Sequence, residues 1–185
     1  YHWMVVAAGS GTAGVAVASG NTAAGTTSAS ATGLSGNTSY DIYVWSDCGG
    51  STLSAYSMPY TFSTLCLATN IPYAVNLAAA TPPALPTCTS SEKLNAGNNW
   101  ATYAAPGAGF NGNTLVYLYN STSPADAWFY TQGLNMTAGT SYRLSYKYAN
   151  DGGTTYPERM NVSYGTVPGA AAMTNTLTDH PNISG

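Results

Sequence analysis

The segment TSYDIYVWSDCGG, residues 38–50, brings together side chains that enzymes and binding sites use. It contains two carboxylates, Asp41 and Asp47, a thiol at Cys48 and several aromatic rings. Carboxylates can transfer protons, a thiolate can act as a nucleophile, and aromatic faces can stack on a ligand. The same residues also fit the end of an ordinary strand that carries a disulfide, so the rest of the sequence has to separate the two interpretations.

The sequence lacks the partners that these groups would need for catalysis. A serine or cysteine nucleophile is activated by a neighbouring base, and the only histidines are His2 and His180, near the two ends of the chain. No G-x-S-x-G motif occurs. In an extended strand Asp41 and Asp47 lie on the same face but six positions apart, and this separation is too large for the paired carboxylates of a glycosidase. We therefore expect no enzymatic activity.

The stretch GSGTAG, residues 9–14, matches the G-x-G-x-x-G pattern of dinucleotide-binding loops. In that motif a helix follows the loop, and an acidic residue lies about 20 positions further on. Here the following residues alternate as in a strand and include Gly20 and Gly25. The sequence therefore predicts a glycine loop between two strands rather than a nucleotide site.

Loop carboxylates provide the candidate metal ligands. Calcium prefers several oxygen ligands, and Asp126, Asn150, Asp151 and Glu158 lie in or beside predicted loops, so they are the candidate calcium ligands. The chain has no D-x-D-x-D loop, and solvated turn residues are the alternative. Three cysteines without a C-x-x-C pair argue against a structural zinc, and no other cofactor is expected.

The composition restricts the partners that the chain can bind. Charged residues make up only 6% of its 185 residues, and Lys and Arg together number four. Nucleic-acid binding requires a basic patch to neutralise phosphates, so we expect no nucleic-acid partner. No apolar run reaches the roughly 18 residues of a membrane span, so we expect no membrane insertion.

Alternation with a period of two runs through most of the chain and predicts an all-β fold made of two consecutive β-sandwiches. Helical periodicity is nearly absent, apart from a turn of helix predicted within 170–179. The candidate strands are 1–9, 14–20, 39–46, 56–64, a short strand within 73–77, 114–119, 126–131, 141–148 and 158–164.

The strand that begins at Ser39 has two distinct faces. Its alternation predicts that Tyr40, Ile42 and Val44 point inward, while Tyr43 and Trp45 point outward. The outward rings join two further tryptophans as the candidate ligand or interface aromatics, because fifteen Tyr and four Trp exceed what such cores hold. Stacking on glycans, covering a neighbouring domain and contacting another copy are the alternatives, and the multidomain pattern favours a neighbouring domain. The four candidates are Tyr43, Trp45, Trp100 and Trp128.

One local pattern occurs twice, in residues 33–43 and 133–146: Gly-Leu, a polar turn, Thr-Ser-Tyr and then alternation. It predicts a corner at each site, where the hydroxyl of Tyr40 or Tyr142 reaches back to the turn backbone while the ring packs inward. In the second copy four side chains share the predicted inner face: Tyr142, Leu144, Tyr146 and Tyr148.

These residues resemble a known family. Leu34, Thr38 and Tyr40 match the L-x-x-x-T-x-Y corner of the fibronectin type III domain, and the SDCGG…FSTLC ending is similar to a variant in large secreted proteins of Bacteroidota. The resemblance covers residues 1–64. It implies a sandwich whose N-terminal strands are missing from this chain.

The remainder resembles the cleaved-adhesin or MAM-like jelly-roll module that follows in those proteins. The matching pieces include ALPTCTS, NNW and DAWFYTQGLNMTAGTSYRLSYKY. In this resemblance, residues 65–90 are a Pro/Ala-rich linker that includes the first strand of the next domain. Residues 91–185 are a jelly roll that lacks its C-terminal strands. YAVNLAA lacks the acid usual in that first strand, which weakens a calcium site. The family implies a secreted or cell-surface protein, exported by type IX secretion.

Three cysteines allow one internal disulfide, which fits an extracellular setting. Cys48 ends one strand and Cys66 follows the next, so a cross-strand bond between them is the favoured pairing. A bond between Cys66 and Cys88, which would tie down the linker, is the alternative, as are three reduced thiols.

The leading functional prediction is a non-enzymatic extracellular structural or adhesive protein, part of a modular surface array or filament. Its partners would be neighbouring domains or copies of itself. The alternative is a carbohydrate-binding module of a secreted multidomain protein, with glycans as the ligand.

Overall fold

The computed structural model describes residues 1–50, 52–151 and 153–185, where regular structure consists of strands and two short 3-10 turns. The all-β prediction is therefore confirmed. No helix in these residues is long and apolar enough to span a membrane. The chain divides into two compact units, Tyr1–Leu67 and Ala68–Gly185. The predicted linker, 65–90, is thus divided between them, with most of it in the second unit.

The described residues of the first unit form four strands, β1 (His2–Ala7), β2 (Ala18–Asn21), β3 (Ser39–Trp45) and β4 (Tyr60–Ser63). They make one antiparallel sheet in the order β2-β1-β3-β4. The central strands β1 and β3 pair along their whole length, from His2 opposite Trp45 to Ala7 opposite Tyr40. The glycine loop predicted at residues 9–14 lies between β1 and β2.

The core of the first unit lies on the β1–β3 pair. Val5 and Val6 are completely buried, and Met4, Val6 and Tyr43 form one cluster against which Trp45 packs. The sequence predicted Tyr43 on the outer face, and this was wrong. Because β3 has strands on both sides and side chains cover both of its faces, Tyr43 contacts the core while Tyr40 is buried on the opposite face.

Val44 also departs from the prediction, since 38% of its surface is exposed. Its backbone is nevertheless bonded at the edge of the sheet, since the Ser57 N–H donates to the Val44 carbonyl and the Val44 N–H donates to the Ser57 hydroxyl.

The hydroxyl-to-turn bond of the tyrosine corner forms twice, as the repeated pattern predicted, but only the Tyr40 ring packs inward, since Tyr142 is 38% exposed. In the first unit the Ser35 backbone N–H donates to the Tyr40 hydroxyl at 2.9 Å. In the second unit the Thr137 N–H donates to the Tyr142 hydroxyl, also at 2.9 Å. Both bonds span five residues, so one local device closes both turns.

In the residues that the structure describes, the second unit has four two-stranded sheets, one of them parallel and three antiparallel. Its 3-10 turns are Leu77–Ala79 and Ala170–Ala172. The paired strands are β5 (Thr69–Asn70) with β10 (Leu134–Asn135), β6 (Ser90–Lys93) with β9 (Ala127–Tyr130), β7 (Trp100–Ala104) with β8 (Asn113–Tyr117), and β11 (Glu158–Tyr164) with β12 (Asn175–Ile183).

The predicted strand at 141–148 is the main departure in this unit. These eight residues belong to no β-ladder among the described residues, and all of them are exposed. The short strand predicted within 73–77 is also not formed. Three predicted strands do form near the expected positions, at 113–117, 127–130 and 158–164.

The disulfide joins Cys66 to Cys88, and Cys48 is a free, exposed thiol. The favoured pairing of Cys48 with Cys66 was therefore wrong. β3 and β4 run antiparallel, and the Asn37 N–H bonds to the Leu65 carbonyl, so Cys66 lies near the start of β3. Cys48 follows the other end of that strand. A seven-residue strand is about 20 Å long, whereas bonded cysteines need Cα atoms within about 7 Å.

Candidate functional site

Three of the aromatic candidates are half-buried against neighbouring rings. Trp45 stacks on His2 with ring centroids 5.4 Å apart, and Tyr56 meets it edge-on at 4.7 Å. Trp100 donates from Nε1 to the Ala127 carbonyl at 3.0 Å. Trp128 stacks almost parallel on Tyr130, with centroids 6.4 Å apart.

The fourth candidate, Tyr43, is 6% exposed and belongs to the core. The structure therefore distributes the four predicted aromatics over two units and gives each of them intramolecular contacts. A flat, open stacking surface made of these residues is not present in the part of the chain that the structure describes.

A different aromatic group is more open. Tyr146 and Tyr148 are 40% and 45% exposed, and both contact His180 on β12. Tyr146 Oη and His180 Nε2 lie 2.7 Å apart and share a hydrogen bond, while the Tyr148 and His180 ring centroids are 4.1 Å apart. Partial burial raises the pKa of Tyr146, with a further contribution from Tyr148. We call these three residues the aromatic platform.

The sequence predicted that Tyr146 and Tyr148 share a face, but it predicted the wrong degree of burial for that face. Alternation placed Tyr146 and Tyr148 on one face, and their shared contact with His180 agrees with that. The face was predicted to be buried, because an apolar period-two pattern is typical of a half-buried strand. Nothing in the local sequence of His180 indicates that it contacts the tyrosines.

The carboxylates of the opening segment have structural contacts. Asp41 is 5% exposed and accepts hydrogen bonds from the Thr61 hydroxyl at 2.6 Å and the Gly9 N–H at 2.8 Å. These bonds, that from Thr61 above all, lower the pKa of Asp41. Asp47 lies 3.7 Å from His2 Nε2 and accepts from the Gly49 N–H. Asp41 thus ties the glycine loop to β3 and β4.

Glu92 on β6 has a similar tying role in the second unit. Its Oε2 accepts from the Tyr130 hydroxyl at 2.7 Å and from the Ala170 N–H at 3.0 Å. Both bonds lower the pKa of Glu92, that from Tyr130 more strongly. Burial, followed by the Glu92 carboxylate, raises the pKa of Tyr130. The Glu92 carboxylate therefore links β6 to β9 and to the second 3-10 turn.

The calcium candidates do not form a cluster. Asp126, Asp151 and Glu158 are all exposed, and no group of three Asp, Glu, His or Cys side chains in the described residues could hold a metal ion. Asn150, next to Asp151, donates instead to the carbonyls of Tyr156 and Ile183.

A scan against protein-family models found no match for this chain, and searches of curated proteins and of solved structures found no significant similarity.

Proposed function

We propose that this chain is a non-enzymatic structural or adhesive protein of the extracellular space, one part of a modular surface array or filament. The observation that carries the proposal is a row of exposed apolar side chains in the second unit. Tyr142, Leu144, Tyr146 and Tyr148 alternate along residues 142–148 and are between 38% and 58% exposed. A contiguous exposed apolar surface is characteristic of an interaction site, whereas single exposed apolar residues are ordinary.

The disulfide supports the extracellular location. Disulfides persist in oxidising compartments, and the bond between Cys66 and Cys88 is compatible with that setting.

We further propose that the first unit is of the fibronectin type III kind. Its strand order β2-β1-β3-β4 fits the sheet of such a sandwich that contains strands C, F and G. The corner tyrosine, Tyr40, comes near the start of β3, which is the position of the corner before strand F. The jelly-roll identity of the second unit rests on its sequence resemblance.

Surface exposure on intact cells tests the structural proposal. Cells that produce the protein are treated with a protease that cannot enter them, and the untreated surface fraction is sized by sedimentation. We expect the protein to be digested and to sediment with other chains or copies. Protection from the protease, or sedimentation as a lone chain, would contradict the proposal.

The second candidate function is carbohydrate binding, and the aromatic platform is the observation that favours it. Rings with one open face and a polar edge can stack on a sugar and also donate hydrogen bonds. A glycan array probed with the wild-type chain and with Tyr148→Ala tests it. Tyr60→Ala is the matched control, because Tyr60 is 71% exposed and lies outside the platform. Binding that Tyr148→Ala alone abolishes would favour this function, and a featureless array would reject it.

A further inference from the structure

Residues 141–148 are all exposed, and their backbone is unpaired. We call them the exposed segment. No backbone N–H or carbonyl within it bonds to another backbone group of the described chain. Unpaired strand backbone is a template for another strand, because its donors and acceptors remain available.

The segment is nevertheless held at both ends. At its start the Tyr142 hydroxyl accepts from the Thr137 N–H, which fixes the corner. Just after its end, Asn150 donates to the carbonyls of Tyr156 and Ile183, at 2.6 and 2.8 Å. Anchoring in this way reduces the ordering cost of binding, since the chain is already partly fixed.

The two faces of the segment differ in chemistry. Tyr142, Leu144, Tyr146 and Tyr148 alternate along one side and are between 38% and 58% exposed. Two of them rest on His180, so this face has a support from β12 but no cover. A partner strand that presents apolar side chains on the same side would cover it.

The other face is basic. Arg143 and Lys147 are two of the four Lys and Arg residues of the chain, and neither has an ion pair or hydrogen bond in the described residues. By contrast, Arg159 is held by Asp179 at 2.8 Å. The cations of the exposed segment therefore lack the acidic partner that charge complementarity would supply.

Charge also argues against a second copy of the same segment as the partner. In an antiparallel pair centred on Ser145, Arg143 of one copy would lie opposite Lys147 of the other. A parallel pair in register would place each cation opposite its equal. Like charges directly opposite each other destabilise a strand pair.

We propose that the exposed segment is a strand-addition site for an extended segment of another polypeptide chain, one that alternates apolar and acidic residues. The apolar residues cover the tyrosine side, the acids face Arg143 and Lys147, and the backbones complete a ladder. The inference rests on the proposed structural role only in that the chain binds other polypeptides. An eight-residue run of backbone lacking partners favours a strand over a glycan.

The test uses the full chain and synthetic peptides of about eight residues, a usual strand length. One peptide alternates valine with glutamate, and the control alternates valine with lysine. We expect the glutamate peptide to bind at least about tenfold more tightly than the lysine peptide. Its acids would form two favourable cross-strand pairs with Arg143 and Lys147, where the lysine peptide would form two repulsive ones. We also expect it to slow hydrogen exchange of amides within 141–148.

The double variant Arg143→Glu/Lys147→Glu provides the matched control, since both side chains are exposed and the variant keeps the backbone. It should reverse the preference and select the lysine peptide. Equal binding of both peptides, no binding of either, or binding without amide protection would overturn the proposal. So would a glycan that occupies the tyrosine side while neither peptide binds. If the chain assembles on cells yet binds neither peptide, the strand-addition site fails and the structural role stands.

Discussion

Single hydrogen bonds to buried or half-buried side chains fix the loops of this protein. Tyr40 shows how far local sequence can predict such a contact. The L-x-x-x-T-x-Y pattern predicted that the Tyr40 hydroxyl bonds to the turn backbone. The same residue types recur before Tyr142 with a longer turn between Leu134 and Thr140, and they predicted the second corner. A corner spans five residues, so its geometry is encoded in a short stretch of sequence.

Removing the hydroxyl of Tyr40 should weaken the first unit. Tyr40→Phe leaves the Ser35 N–H without its acceptor, and we expect a loss of about 1 kcal/mol in the free energy of unfolding. Chemical denaturation of the purified chain measures this. Tyr60→Phe is the control, since its side chain is 71% exposed. Equal effects of the two variants would show that the corner bond contributes nothing.

Asp41 should make stability depend on pH. Its hydrogen bonds from Thr61 and Gly9 hold its folded pKa below the unfolded value. The ionised carboxylate therefore stabilises the fold above the unfolded pKa, near 4, and this contribution is lost as the pH falls through the folded pKa.

Denaturant midpoints of the wild type and of Asp41→Asn, measured from pH 7 down to about pH 3, check this expectation. The variant should be less stable at neutral pH, and the difference should shrink on acidification, when Asp41 itself becomes neutral. A difference that stays constant over the whole range would contradict the assigned role.

At the scale of strands, sequence periodicity located elements better than it assigned their faces. β3 and β11 were predicted to within one residue, because their alternation is long and regular. The burial of Tyr43 could not be predicted from β3 alone, since it depends on Met4 opposite and Val6 nearby on β1. The exposure of 141–148 likewise depends on which strands pair with it, which a local pattern does not specify.

The β1–β3 core should be sensitive to small cavities. Val6 is completely buried, and Val6→Ala removes two methyl groups from that core, with an expected loss of about 2 kcal/mol in unfolding free energy. Val15→Ala is matched in chemistry, but Val15 is 89% exposed, so its effect should stay within about 0.5 kcal/mol. Thermal or urea unfolding compares the two. Similar losses would mean that this core is not where the unit derives its stability.

At the scale of the whole chain, the disulfide shows a limit of local inference. Cys48 and Cys66 flank neighbouring strands in sequence, but antiparallel pairing separates them by the length of β3. The partner of Cys66 is Cys88, about 22 residues further on, and closing such a loop contributes about 3 kcal/mol in the chain-entropy model.

A peptide map under non-reducing conditions checks this connection. We expect one bridged peptide that contains Cys66 and Cys88, and alkylation of Cys48 before any reductant is added. A bridged peptide that contains Cys48 would contradict the structure.

We propose that this chain acts by assembling outside the cell rather than by catalysis. The assembly state of the native particle, isolated from the surface of producing cells and imaged by electron microscopy, tests it most directly. The proposal predicts a regular polymer or array in which this chain contacts copies or neighbouring modules. An isolated monomer that diffuses freely from the cells would contradict it.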